Sequence, residues 1–250
     1  MKRVIGEGVG TPEACWLSWP GLNAIENAAA QSLVPIGKRL VVIAPHPDDE
    51  ILMAGGLIQH LFDGRDSRLV IAVTDGDASH PGSTLWPPER LRDMRPQEST
   101  AALATLQAGV ISVMRLGLPD GQLRENAAVL SEKLAAIITV NDVVLATWTL
   151  DGHPDHEVCG GIAKSVVQQC GATFIEVPVW MWHWATPEDD KVPWQRARRL
   201  YLTAQQVARK KAAMSCFVSQ LGADIEAGRE AVVTPTMLAR VERNYEVFFI

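Results

Sequence analysis

The chain has 250 residues, of which 47% are hydrophobic, and its formal net charge is -6 at pH 7. This length suits one large α/β domain at least as well as two small ones, and the apolar content excludes global disorder. The acidic balance argues against a dedicated nucleic-acid binder, which normally carries a basic face. No apolar stretch reaches the roughly 18 residues that a membrane span needs, and no signal-peptide pattern follows Met1. We therefore expect neither a nucleic-acid partner nor a membrane span.

The four cysteines are scattered along the chain and form no C-x-x-C pair. This usage predicts reduced thiols in a cytoplasmic protein rather than a disulfide framework. It also excludes a structural zinc site of the cysteine type.

The first segment in chain order, residues 1–38, is irregular and contains Gly, Pro and Trp. It is predicted to form an N-terminal extension that packs on a domain spanning 39–250. Within that domain, short apolar and β-branched segments alternate with longer segments of helical periodicity. Their nearly continuous apolar character is typical of parallel strands covered on both faces. The predicted strands are 40–44, 69–74, 110–116, 143–148 and 173–178, with 199–202 as a further candidate.

Helices are predicted between these strands. An apolar stripe over 51–62 has the spacing of one helical face, and a second helix begins near Pro87-Pro88. A third has Asn126 as its N-cap, and a fourth covers 155–169 and ends at Gly171. Such alternation predicts βαβ units and a doubly wound sheet.

The segment 179–197 falls outside this alternation and contains Trp180, Trp182, Trp184 and Trp194 among prolines and acidic residues. It predicts a loop. Its aromatic rings either form a wall on which a sugar stacks or simply pack, and the sequence leaves both alternatives open.

Two polar clusters follow two of the predicted strands. His46-Pro47-Asp48-Asp49-Glu50 comes directly after strand 40–44, and His153-Pro154-Asp155-His156 comes shortly after strand 143–148. Ligands of open parallel sheets bind beyond the carboxyl ends of the strands, so we expect both clusters at one rim. Imidazole and carboxylate together suit a catalytic zinc, which keeps three protein ligands and one open position. Helix capping explains either cluster alone, but it explains the pair poorly.

The segments APHPDDEILMAGGLI (44–58) and GHPDH (152–156) strongly resemble the PIG-L, or LmbE-like, family of metal-dependent N-deacetylases. The resemblance covers about 38–222 and includes the supporting motifs TDGD (74–77) and LGLPDGQL (116–123). It implies an α/β, single-domain, Rossmann-like (LmbE-like) three-layer fold with a mostly parallel central sheet. It also implies a zinc-dependent hydrolase that removes the N-acetyl group from an N-acetylated amino sugar or glycoside.

By that resemblance, the metal ligands are His46, Asp49 and His156, and Asp48 is the general base. The sequence does not distinguish Zn²⁺ from Fe²⁺ or Co²⁺, because the same nitrogen and oxygen ligands accept all three. Glu50 is interpreted as a structural residue of the first helical turn.

The family's remaining roles fall on four further residues. His153 matches the histidine that stabilises the oxyanion or protonates the leaving nitrogen, and Asp155 matches the residue that orients it. Arg95 and Asp120 match positions that hold sugar hydroxyls, although either residue type also serves in a surface ion pair or a turn.

Two other functions stay open at this point. One is an amidohydrolase that acts on a non-sugar N-acyl conjugate, which would not need the Arg95 and Asp120 pair. The other is a non-catalytic metal-binding or sugar-binding protein, which the presence of Asp48 disfavours. The expected partner is a small N-acetylated sugar, and the sequence leaves the oligomeric state open.

Overall fold

The computed structural model describes residues 10–61 and 67–250. Within these ranges the strands form a single eight-stranded sheet. The strands are β1 (Glu26–Asn27), β2 (Arg39–Ala44), β3 (Arg68–Thr74), β4 (Ser112–Leu118), β5 (Asp142–Thr147), β6 (Thr173–Val177), β7 (Ala197–Tyr201) and β8 (Tyr245–Phe249). Their order across the sheet is β1-β7-β8-β6-β5-β2-β3-β4, and β8 alone of these runs antiparallel to its neighbours.

Helices cover both faces of this sheet. In the described ranges none of them is both long and apolar enough to cross a membrane. They are α1 (Glu13–Ser18), α2 (Pro20–Ala24), α3 (Ala30–Leu33), α4 (Asp49–His60), α5 (Pro88–Thr105), α6 (Ala127–Ile137), α7 (Pro154–Cys170), α8 (Met181–Trp184), α9 (Ala204–Met214), α10 (Val218–Leu221) and α11 (Pro235–Val241).

Alternate side chains of β2 enter two different cores. Leu40 and Val42 pack in a core with α4, α5, α9 and α11, whereas Val41 and Ile43 pack on the other face with α6 and α7. Side chains alternate across a strand, so a strand covered on both faces needs apolar residues at every position. This arrangement confirms the predicted three-layer α/β fold with a mostly parallel sheet.

The strand order fixes where a site can form. From β2 the chain continues to β3 and β4 on one side, whereas β5 and β6 lie on the other side. The order therefore reverses between β2 and β5, and a crevice opens there at the carboxyl ends of the strands. His46 follows β2 and His153 follows β5, so both predicted clusters flank this crevice.

Some predicted elements differ from the structure. Strand β4 begins at Ser112 because Gln107 and Gly109 both adopt positive φ (52° and 75°) and prolong the preceding turn. It lies at a sheet edge with exposed residues, so the prediction that it is covered on both faces is wrong.

Strand β8 was not predicted. The segment 179–197 contains α8 and a 3₁₀ turn at Trp194–Arg196, so it is more regular than the predicted loop.

Residues 10–38 are also more regular than the predicted irregular extension, since they contain α1, α2, α3 and the edge strand β1. The fully buried Trp16 donates its indole N–H to the carbonyl of Trp182 at 3.1 Å. Glu13 forms a two-armed ion pair with Arg243, with both distances 2.7 Å. These contacts hold the described part of the segment against α8 and the turn between α11 and β8. Residues 1–9 and Phe62, which the predictions included, lie outside the described residues.

We expect Trp16→Ala to lower the free energy of unfolding by about 3–5 kcal/mol, because it removes a buried indole and its hydrogen bond. Leu17→Ala is the matched control on the same helix. Leu17 is 57% exposed, so its truncation should change stability by less than about 0.5 kcal/mol. Urea unfolding followed by circular dichroism measures both, and equal losses would show that Trp16 is not an anchor.

Candidate functional site

Three side chains from the two clusters converge at the crevice. His46 Nδ1 lies 3.3 Å from Asp49 Oδ2, and His156 Nε2 lies 3.2 Å from that oxygen and 3.3 Å from His46 Nδ1. Ligands held about 2.0–2.1 Å from a tetrahedral zinc lie about 3.3 Å from one another, so this triangle has the size of one face of such a site. Two imidazole nitrogens and one carboxylate oxygen also fit a divalent metal chemically.

A carboxylate orients each of the two imidazoles. Asp120 Oδ1 lies 3.2 Å from His46 Nε2, and Asp151 Oδ2 lies 2.8 Å from His156 Nδ1. A histidine that binds metal through one nitrogen usually donates its other N–H to such a group, which fixes the tautomer. Both rings are therefore oriented so that the other ring nitrogen points towards the centre of the triangle, where it would bind a metal.

Asp151 is a residue of the candidate site that the sequence analysis missed. Its carboxylate is fully buried and accepts hydrogen bonds from the backbone N–H groups of Val179, Trp180 and Met181 at 2.8, 3.0 and 3.1 Å. The same carboxylate contacts His156. The available signal was an acidic residue directly before GHPDH, since metal-binding histidines need an orienting carboxylate.

Asp151 also determines how the tryptophan-rich segment meets the site. The Trp180 ring stacks on His153, with ring centroids 6.3 Å apart and planes 26° from parallel, and Trp180 lines the pocket that contains the triangle. Trp182 and Trp194 instead pack with Trp16 in a separate buried cluster. Trp182 and Trp194 therefore simply pack, whereas Trp180 lies at the pocket, and sugar stacking on its ring stays a prediction.

The electrostatic field at the triangle favours a cation. Burial lowers the pKa of His46, but hydrogen bonds to carboxylates, Asp120 first among them, outweigh burial and raise that pKa well above its usual value. For His156, burial is likewise outweighed by Asp49 and Asp151, and the pKa rises to about 9. Carboxylates that stabilise a proton on these rings will stabilise a divalent cation between them in the same way.

Asp48 has a strained backbone, with φ 124° and ψ -30°, a conformation that is rare outside glycine. The buried Glu50 carboxylate holds this turn, because it accepts the Asp48 backbone N–H at 3.0 Å and the Ser99 hydroxyl at 2.5 Å. Burial and the neighbouring Asp49 raise the pKa of Asp48 to about 8, although Arg95 acts in the opposite direction.

Arg95 is only 2% exposed and connects the loops after β2 and β3. Its guanidinium donates to the carbonyls of Pro47 at 2.6 Å and Gly76 at 2.8 Å, and it lies 3.7 Å from Asp48 Oδ2. Gly76 has φ 66°, and a Cβ there would lie 1.7 Å from Arg95 Nη1, so this close approach requires glycine. The guanidinium thus already has intramolecular partners, and contact with a sugar hydroxyl stays a prediction.

Asp155 contacts His153 through its backbone, while its carboxylate faces other groups. Its carboxylate accepts the N–H groups of Gly121 at 2.8 Å and Leu123 at 3.3 Å, and it lies 3.5 Å from His46 Nε2. The orienting contact to His153 comes instead from the Asp155 backbone N–H, which donates to Nδ1 at 3.2 Å. Asp155 therefore contacts His153 through its backbone, and its role in orienting that ring stays a prediction.

His153 is a neutral hydrogen-bond donor in this environment. Burial, followed by the nearby His156 and His46, lowers its pKa to about 3. Because Nδ1 accepts a backbone N–H, the ring proton of the neutral form resides on Nε2. That N–H is available to a polar atom in the pocket.

Seven of the eight predicted site residues line one pocket of about 320 Å³, and Asp155 lies behind it. The pocket wall also includes Trp180, for which the sequence left a sugar wall as one alternative, and Gln220 and Met237, which were not assigned to a site. The geometry therefore brings the predicted residues together, while their individual roles stay predictions.

We expect Asp151→Asn to weaken zinc binding about 10- to 100-fold, because His156 loses the carboxylate that orients it. Asp120→Asn should weaken zinc binding similarly through His46. Asp77→Asn is the matched control, because Asp77 pairs with Arg92 and is not among the residues that line the pocket. Competition with a chromophoric chelator measures affinity, and a melting curve checks that each variant is folded. Wild-type affinity in both Asp151→Asn and Asp120→Asn would remove the orienting roles.

Comparison with known proteins gives the site a family context. Residues 41–167, about half of the chain, match the family model PIG-L: GlcNAc-PI de-N-acetylase. The 1D-myo-inositol 2-acetamido-2-deoxy-alpha-D-glucopyranoside deacetylase of Rhodococcus opacus (strain B4) is 27% identical over 213 residues, which cover 74% of this chain and 67% of that protein.

Two solved structures show the same fold. The zinc-inhibited form of teicoplanin deacetylase Orf2 matches with a TM-score of 0.62 at 17% identity, over 84% of this chain and 97% of that one. GalB, the 4-carboxy-2-hydroxymuconate hydratase from Pseudomonas putida KT2440, matches with a TM-score of 0.52 at 17% identity, over 73% and 80%. At such identities the likeness concerns the fold alone. The match of the family model over residues 41–167 shows that the chain belongs to the PIG-L family.

Proposed function

We propose that this protein is a zinc-dependent hydrolase that removes the N-acetyl group from an N-acetylated amino sugar or glycoside. The observation that carries the proposal is the triangle of His46, Asp49 and His156, of the size that a zinc ion needs, with Asp48 beside it in one pocket. Membership of the PIG-L family supports the reaction type. The relative from Rhodococcus opacus, which is named as a deacetylase of an acetamido sugar, supports the substrate class.

In this proposal His46, Asp49 and His156 hold the metal. When bound, a zinc ion polarises an amide carbonyl and makes hydroxide available near neutral pH. Asp48 accepts the proton of the attacking water as the carbonyl carbon becomes tetrahedral, and its strained turn holds the carboxylate beside the triangle. His153 donates its Nε2–H to the oxygen on which negative charge develops. The proton taken by Asp48 then passes to the departing amine, and the products are acetate and a free amino sugar.

The walls of the pocket support a sugar substrate. Trp180 presents an aromatic face next to His153, a surface on which the apolar side of a sugar ring can pack.

Asp120 is assigned to orienting His46, because one of its oxygens faces that ring and the other accepts the Ala78 N–H at 2.9 Å. Arg95 lies 3.7 Å from Asp48 Oδ2, where its charge opposes the rise in the pKa of Asp48, and it also holds the two loops together. We propose a cytoplasmic location on the basis of the four unpaired cysteines.

The proposal is tested by acetate release from a panel of N-acetylglucosamine derivatives, with zinc supplied and free amine measured in parallel. Equimolar acetate and amine from at least one glycoside is the expected result. Non-sugar N-acetyl conjugates form the second arm, because an amidohydrolase for such amides is the competing function. Turnover confined to the second arm would replace the sugar with a different substrate class, and silence in both arms would reject the deacetylase.

We expect Asp48→Asn to retain zinc but to lower kcat about 10²- to 10⁴-fold, because the amide cannot accept the proton of water. Zinc content is measured by atomic absorption on the same samples used for kinetics. Asp77→Asn, a surface substitution of the same type, should keep wild-type kcat. An Asp48→Asn enzyme with most of its activity would exclude Asp48 as the base.

We expect His153→Ala to lower kcat about 10²- to 10³-fold with little change in KM, because its N–H acts on charge that develops only in the transition state. His60→Ala is the control, since His60 lies at the far end of α4 and contacts the Tyr201 carbonyl. If the His153 variant changes KM but not kcat, the residue binds substrate and does not stabilise the oxyanion.

A further inference from the structure

The tight turn that carries Asp48 is closed in the less favourable of two backbone forms. The Asp49 N–H donates to the His46 carbonyl at 3.2 Å, so residues 46–49 form a β-turn. Pro47 and Asp48 occupy its two central positions. The φ of 124° and ψ of -30° at Asp48 resemble the third residue of a type II turn, which normally is glycine or asparagine. Proline at the second position suits types I and II alike.

The more favourable form differs by the rotation of a single peptide group. Turning the peptide between Pro47 and Asp48 by about 180° takes φ of Asp48 from 124° to about -56°, while ψ stays at -30°. These angles lie in the right-handed α region, where L-residues are unstrained. The rotation leaves the Asp48 carbonyl in place, so its hydrogen bonds from the N–H groups of Ile51 and Leu52, both 3.0 Å, are kept. Helix α4 therefore tolerates either form, and other contacts select the strained one.

Two buried side chains hold the two ends of this peptide group. The Arg95 guanidinium donates to the Pro47 carbonyl at 2.6 Å. The Glu50 carboxylate accepts the Asp48 N–H at 3.0 Å. The C=O and N–H of a trans peptide point in opposite directions, so the rotation would turn the carbonyl towards the carboxylate and the N–H towards the guanidinium. Both hydrogen bonds would be lost, and both new contacts would be repulsive.

Helix α5 controls both of these contacts. Arg95 and Ser99 are four residues apart on α5 and therefore lie on the same face of the helix. Arg95 holds the carbonyl directly. The Ser99 hydroxyl instead donates to Glu50 Oε1 at 2.5 Å, while Glu50 Oε2 accepts the Asp48 N–H. Arg95, Glu50 and Ser99 are each at most 2% exposed, so water competes poorly for these hydrogen bonds. These three residues are called the peptide clamp below.

We propose that the peptide clamp holds the turn in its strained form and thereby positions the Asp48 carboxylate. The inference rests on the proposed function for the role of Asp48 as base. The Cα–Cβ bond of Asp48 leaves the same atom as its backbone bonds, so rotation of the peptide would tilt the carboxylate from its place beside the triangle. Glu50 and Ser99 do not line the pocket, and they act as positioning residues.

A comparison of stabilities tests the peptide clamp without any turnover. Glycine adopts the strained angles readily and alanine does not, so Asp48→Gly should be more stable than Asp48→Ala. We expect the equilibrium constant for unfolding to be at least about fivefold larger for the alanine variant. In a Glu50→Leu background the turn relaxes into the α region, where alanine is preferred to glycine, so the order should reverse. Urea unfolding with zinc in constant excess measures all four proteins.

Glu98→Leu is the matched control background. Glu98 is also a buried acid, but its carboxylate accepts hydrogen bonds from the backbone N–H and hydroxyl of Ser219. Glycine should remain the more stable residue at position 48 in this background. Ser99→Ala is a milder change that keeps the test informative if Glu50→Leu does not fold, and it should narrow the difference between glycine and alanine. An undiminished preference for glycine in every peptide-clamp background that folds would overturn the inference, as would no such preference in the otherwise unchanged protein.

Kinetics on an active glycoside form the second arm. Glu50→Leu should lower kcat at least about tenfold with little change in KM, because the base is misplaced while the substrate walls are intact. Zinc content, measured on the same samples, should not change. Glu50→Gln should retain most of kcat, because its amide oxygen still accepts the Asp48 N–H and its amide nitrogen can donate to Ser99. Equal losses of kcat in both Glu50 variants would contradict the positioning role, since only one of them removes the hydrogen bond.

The two arms separate this inference from the proposed function. A glycine preference that reverses in a protein releasing no acetate supports the peptide clamp and refutes the function. Acetate release that depends on Asp48, together with a glycine preference that no peptide-clamp variant alters, refutes the inference and leaves the function intact.

Discussion

The buried carboxylate of Asp151 connects the metal centre to the tryptophan-rich segment. It accepts one hydrogen bond from a metal-facing histidine and three from the backbone at residues 179–181. A buried charge is tolerated only when it is fully hydrogen-bonded, so these contacts are mutually dependent. The orientation of His156 and the position of Trp180 are consequently set by one group. The chemical centre and the wall of the substrate pocket therefore form a single unit.

The two His-containing motifs meet because of the sheet order, and local geometry then divides the carboxylates among different tasks. Asp49 faces the triangle, whereas Asp120, Asp151 and Asp155 lie behind the imidazoles. Asp48 differs from all of these because its strained backbone directs it into the pocket beside Arg95. A concentration of acids that would repel one another in solution is thus held around two histidines, and this concentration favours a divalent cation at the triangle.

Much of this arrangement could be predicted from sequence because its signals are local. The strands buried on both faces have continuous apolar runs, and the metal ligands lie in short motifs directly after β2 and β5. Strand β8 could not be predicted, because its place depends on antiparallel pairing with strands distant in the chain. The role of Asp151 could not be predicted, because its hydrogen bonds come from residues 179–181, which are distant in the sequence. The different contacts of Asp120 and Asp155 could not be predicted either, because they depend on which carboxylate lies closer to His46 in three dimensions.

The position of β8 has a consequence for the order in which the protein assembles. During synthesis, β2, β3, β4, β5 and β6 emerge with both metal-binding motifs before Tyr245–Phe249 exists. Among the described strands, only β8 connects the edge strands β1 and β7 to the rest of the sheet. Glu246 of β8 also accepts hydrogen bonds from two backbone N–H groups of α4, the helix that follows His46. Until Tyr245–Phe249 has been synthesised, the nascent sheet therefore lacks the strand that pairs with β6 on its outer side. Insertion of β8 completes that side of the sheet and fixes α4 in place.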